Sequence, residues 1–129
     1  MNNVYALIVD DAQDDNDPDI RSLTPDLTTL RTLVDGSIEA VYGYRQIDGT
    51  VPDQPRITFY LKDEGKLRGL PPNPLATALW WHYNPSAIHN DFLVGPVIVT
   101  GYDPAGHDTD VPEDVIDTFV AIAHFRAGT

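Results

Sequence analysis

The sequence contains no cysteine. Disulfides, thiolate nucleophiles and cysteine-ligated zinc are excluded, and with them the small secreted scaffold held together by bridges. Positive charge is scarce: six Arg and two Lys stand against twenty acids, a formal net charge of −12. Such a surface repels nucleic acid and anionic membranes at long range, so direct nucleic-acid binding is not expected. Glutamate is scarce too, with only Glu39, Glu64 and Glu113 beside seventeen Asp. Long hydrophobic runs are missing. The first, residues 4–9, has no basic stretch before it and is too short for a signal peptide or a membrane span. The expectation is a soluble cytoplasmic protein with no membrane partner.

Catalytic patterns are equally missing. There is no G-x-S-x-G elbow, no zincin pattern and no histidine pair at helical spacing. No catalytic residue, metal ligand or cofactor is assigned, and the expectation leans away from an enzyme. Glu39 and Glu64 would form an acid–base pair only if folding brought them together. His82, His89 and Asp91 have ligand chemistry without ligand spacing. Asp15, Asp17 and Asp19 resemble the opening of a calcium loop, but Ile20 stands where that loop needs glycine.

What is present is an ordinary apolar share, 42% of 129 residues, enough for one domain spanning 1–129. Residues 4–9 read as a strand covered on both faces. Residues 10–19 hold six aspartates and read as an exposed acidic loop. A helix is predicted over 25–34, with Thr24 as cap, Pro25 in the first turn and Gly36 as terminator. Residues 37–44 and 56–62 alternate as two strands, paired as a hairpin across a long breaker-rich loop. Asn73 caps a second helix with Pro74 at its first position. Residues 92–100 form a strand bent at Gly95-Pro96, and 101–110 a polar loop. Asp110 and Glu113 have capping-box spacing for a last helix over 111–126. The order is β-α-β-β-α-β-α. This predicts an α+β two-layer domain of about four mainly antiparallel strands and three short helices.

The stretch 64–73 is the best candidate site. It places Glu64, Lys66, Arg68 and Asn73 between a strand and a helix, where backbone N–H groups and nearby cations suit an anion. Its plainer reading is a turn with glycine at positive φ, then a proline-stiffened helix entry. Trp80, Trp81 and Tyr83 come second: one tryptophan packs on the sheet, while the other, with Tyr83, offers a stacking or protein-contact surface.

The stretches Glu-Gly-Lys-Leu-Arg-Gly-Leu-Pro-Pro-Asn (64–73) and Asp-Phe-Leu-Val-Gly-Pro-Val (91–97), with 33–41 before them, resemble a family of small domains of unknown function. That family is carried by bacteriophages and mobile elements, mostly actinobacterial. The resemblance covers about 4–100, leaving the acidic loop and last helix outside. It implies a phage or mobile-element source and a fold unit but no reaction, and it motivates the expectation of a non-enzymatic accessory protein in the host cytoplasm that binds a host protein or a small anionic ligand. An acidic DNA mimic that occupies a DNA-binding host enzyme is the alternative reading of the −12 charge. A structural or assembly role, with self-association through Trp80 or Trp81, is the third.

Overall fold

The structure, a computed structural model, describes residues 3–10, 17–46 and 48–127. The described elements run β1 (Val4–Val9), β2 (Asp19–Leu23), α1 (Leu27–Val34), β3 (Ile38–Gly43), β4 (Ile57–Lys62) and α2 (Pro74–Tyr83). A 3-10 turn (Pro85–Ala87), β5 (Val97–Tyr102), β6 (Asp108–Thr109) and α3 (Glu113–Ala127) complete the order. The strands form one sheet, β2-β1-β5-β4-β3, with β6 beside β5 and every pairing antiparallel. The α+β class holds, with six strands rather than about four. The two extra strands carry little hydrophobic signal: β2 is a mostly exposed edge strand and β6 has two residues.

Period-two alternation sorts the side chains onto two faces. Leu7 and Val9 join Ile57, Phe59, Leu61, Val97 and Val99 on one face, beneath Leu75 and Leu79 of α2 and Val115 and Phe119 of α3. Val4, Ala6, Ile8 and Ile98 lie on the other face, against Leu30 and Val34 of α1. Each large side chain buried this way contributes about 1.5–3 kcal/mol. The expected two layers thus become a sheet with helices on both faces. The apolar run of β1 already requires that, since neither of its faces can be left wet. No described helix is long and apolar enough to cross a membrane.

Several element boundaries differ from expectation for local reasons. The cap of α1 is Asp26, whose carboxylate accepts from Thr29 N–H at 2.8 Å, while the Thr24 hydroxyl donates to Asn3. The predicted polar loop 101–110 contains the end of β5 and all of β6. At Gly101 a β-carbon would collide with Thr109 Oγ1 and the Asp110 carbonyl, so glycine lets β6 close against β5. Asp110 is not a helix cap: α3 starts at Glu113, and Asp110 accepts instead from Tyr5 N–H at 2.9 Å. The strand predicted over 92–100 begins only at Val97, because Gly95 at φ 69 turns the chain before it. Of the acidic loop, 11–16 lie outside the described residues, and Asp19 already opens β2.

Candidate functional site

The two motif stretches meet in space. Residues 71–73 run antiparallel beside 93–95: Gly95 N–H donates to the Pro71 carbonyl and Asn73 N–H to the Leu93 carbonyl, both at 2.9 Å. Asn73 joins three elements. Its side-chain oxygen accepts from Ala76 N–H as the cap of α2, and its amide nitrogen donates to the carbonyls of Val9 (2.9 Å) and Gly95 (2.8 Å). Leu70 fills the space over Gly65 and Gly95, where a β-carbon would stand 3.2 and 2.9 Å from its Cδ1.

Between β4 and this joint the chain reverses at Glu64, which takes a left-handed φ of 59 seldom adopted by non-glycine residues. The following residues wind into one helical turn, with Arg68 N–H donating to the Glu64 carbonyl and Leu70 N–H to the Gly65 carbonyl. At roughly 100° per residue, positions two apart face opposite ways. Lys66 and Arg68 therefore do not converge. Lys66 faces a cavity of about 270 Å³, whereas Arg68 lines a separate recess with Asp35, Lys62 and Asp63.

The cavity is floored by Val41, Leu61, Leu93 and Val94 and rimmed by Glu39, Asp63, Glu64, Lys66, Asp91 and Phe92. Lys66 is its single cation and is already engaged. Its ammonium is paired with Asp91 and stands 4.3 Å from the Phe92 ring centroid. Asp91 is held from two more sides, by Phe92 N–H on its carboxylate and by the Trp81 indole on its carbonyl, each at 2.8 Å. Burial alone would raise the Asp91 pKa, but the Lys66 hydrogen bond, the Phe92 N–H and the lysine charge outweigh it and hold the carboxyl below its usual range. Glu39 is shifted the other way. Partial burial and repulsion from Asp63 and Asp91 push its pKa up, against the opposing pull of Lys66. One lysine facing four carboxylates leaves a formal cavity charge of −3, which favours a cation.

The residues singled out in the sequence thus separate. Glu64 and Lys66 line the cavity, and Arg68 lies across the turn from it. Asn73 is wholly buried, with its amide spent on backbone partners. Trp80 and Tyr83 are buried as well, so they offer no stacking surface. The Trp80 indole donates to the Tyr42 carbonyl, and the Tyr83 hydroxyl meets Asp114 and Thr118. Burial, only partly offset by the Thr118 hydrogen bond, pushes the Tyr83 pKa up to about 12. His89 packs edge-on to Trp81 and His82 to Tyr83. No group of three metal-ligating side chains occurs among the described residues. Asp63 and Phe92 lie in or beside the motif stretches but are not marked as site residues, because nothing local shows that a strand end or a loop aromatic faces Glu39. Glu39 and Glu64 line one cavity, but the charges that shift Glu39 are those of Asp63, Asp91 and Lys66.

A family model described as a domain of unknown function, DUF3846, matches residues 4–124, and the chain belongs to that family. The match takes in the acidic stretch and most of α3. No curated protein and no solved structure matches the chain.

Proposed function

We propose that this DUF3846 domain is a binding module whose cavity receives a basic side chain of a partner protein. The observation that carries this reading is the charge of the cavity: its lysine is neutralised by Asp91 while Glu39, Asp63 and Glu64 remain around it. A small anion, which the basic residues 66 and 68 favour on paper, would meet that acidic rim with no free cation in the cavity. A space of about 270 Å³ suits the head of an arginine or lysine. The net charge of −12 supports the same reading at longer range, since it steers basic partners toward the domain. The resemblance of stretches 64–73 and 91–97 adds the setting: an accessory protein of a phage or mobile element, acting on a host protein in the host cytoplasm.

The raised pKa of Glu39 favours a second reading, a general acid opposite Glu64. Partial desolvation and the neighbouring Asp63 and Asp91 account for the same shift without any reaction, however, so a binding role explains it equally well.

Backbone-amide NMR titration separates these readings. N-acetyl-arginine N-methylamide should move the signals of residues 39, 63–66 and 91–93, and Glu39→Gln with Asp63→Asn should weaken the response. Inorganic phosphate should leave those signals in place. A response to phosphate and none to the arginine analogue would sink the proposal. A DNA mimic, relying on many dispersed acids, would inhibit its target almost unchanged after those two substitutions.

A further inference from the structure

The cavity lies along an unpaired sheet edge. Strand β3 pairs only with β4 among the described residues. Asp63 N–H donates to the Ser37 carbonyl, so the bonded pairs of this ladder are 37/63, 39/61, 41/59 and 43/57. The backbone groups of Ile38, Ala40 and Tyr42 therefore point away from the sheet. The Tyr42 carbonyl is taken by the Trp80 indole and the Asn84 amide, at 3.0 and 2.9 Å. Just beyond the strand, Tyr44 N–H donates to the Tyr83 carbonyl, which closes that end of the edge. The N–H and carbonyl of Ile38 and Ala40, and the N–H of Tyr42, are left facing outward.

We propose that β3 is a docking edge for an extended basic segment of the partner protein, added to the sheet as a further strand. This rests on the cavity reading above and names the form of the ligand. Alternation supplies the reason. Glu39 and Val41 point to the α2 face and line the cavity, while Ile38, Ala40 and Tyr42 point to the other face. A residue of the added strand directly opposite Glu39 has its β-carbon roughly 4.5–5.5 Å away and projects to the same face. An arginine or lysine there meets the Glu39, Asp63 and Asp91 carboxylates. The residue two positions along, opposite Val41, meets an apolar floor. The segment recognised is thus a basic and an apolar residue separated by one position, held by main-chain bonds and selected by side chain.

Two contrasts favour a basic partner over other occupants. At the opposite edge of the sheet, β2 carries the paired charges Arg21 and Asp19, a feature that blunts strand edges. On β3 the single charge is Glu39, and it belongs to the cavity. Pairing of β3 with β3 of a second copy would bring two cavities of charge −3 together, which disfavours self-association.

The probe is an acetylated, amidated heptapeptide with arginine at its centre, valine two positions to either side and threonine elsewhere. A second version is N-methylated on the two threonines flanking the arginine. The parent peptide should shift the cavity signals and slow amide hydrogen exchange at Ile38, Ala40 and Tyr42. Its affinity should drop tenfold or more with N-methylation, and also with Glu39→Gln. If both peptides bind equally well, strand addition is overturned while the cavity reading stands. If neither peptide nor the arginine analogue moves the cavity signals, both readings fall. Concentration-dependent dimerisation in sedimentation, with β3 amides protected in the free protein, would assign the edge to a second copy and overturn the proposal.

Discussion

Desolvation raises both Glu39 and Asp91, yet their net shifts are opposite because Asp91 has the Phe92 N–H and the Lys66 ammonium as partners. Asp91 has the Lys66 ammonium in contact, whereas Glu39 has Asp63 and Asp91 as neighbours and feels Lys66 only as a distant charge. The linkage signs follow. The depressed Asp91 carboxyl contributes stability above its unfolded pKa, lost as pH falls through its folded value. The raised Glu39 carboxyl works the other way: folding is favoured below its unfolded pKa, and that advantage is lost as pH rises through the folded value. Glu39→Gln should therefore raise the melting temperature at pH 7, with the gain fading as pH falls through the raised pKa and vanishing near pH 3. Thermal melts of the two proteins across that range check it, and a gain independent of pH would refute the assignment. None of this was legible locally. Lys66 stood out because bases are few, but its partner is 25 positions away in the chain.

At the scale of elements, the joint of β1, α2 and the segment before β5 depends on Asn73. Its capping role was legible from Asn-Pro before a helical run; its two carbonyl partners, Val9 and Gly95, were not. Asn73→Asp isolates the hidden part. Aspartate caps a helix as well as asparagine does. It donates nothing to the two carbonyls and sets a buried charge against them, an orphaning that costs about 1–3 kcal/mol for each group. Chemical denaturation should show Asn73→Asp less stable by roughly 2–5 kcal/mol at pH 7, at least as large a loss as for Asn73→Ala. Equal stability of Asn73→Asp and wild type would mean that the cap alone matters. The helices and central strands could be read because α1, β1, β4 and α2 bury one or both faces. β2 and β6 could not, since an edge strand owes its place to a neighbour's free backbone groups rather than to its own apolar pattern.

Taken as a whole molecule, the domain carries −12 on a surface with few cations, and Arg21, Arg45 and Lys66 are already paired with carboxylates. Screening should act in two directions at once. Raising salt from about 10 to 150 mM shortens the Debye length from roughly 30 to 8 Å. Self-repulsion of the fold then weakens and the melting temperature should rise. Affinity for the basic heptapeptide should fall over the same range, mainly through slower association. Calorimetry and stopped-flow binding in the same buffers test both, and peptide affinity indifferent to salt would remove the long-range steering argument.

The sequence by itself determined an α+β domain, where its central strands and helices run, that α2 starts at Asn73-Pro74, and that 64–73 is chemically unlike the rest. Each of these follows from a pattern closed within a few residues: alternation, helical spacing, a cap, a cluster of rare charges. Tertiary structure alone decided which helices cover each face of the sheet and that Lys66 and Arg68 part company. It also assembled Glu39, Asp63, Asp91 and Phe92 around one cavity beside an open strand edge. The physical reason is range. Electrostatic character belongs to the groups that end up within a few ångströms of one another, and here they come from β3, the end of β4 and the segment before β5. The stretch that stood out for its positive charge became, once folded, one wall of an acidic cavity.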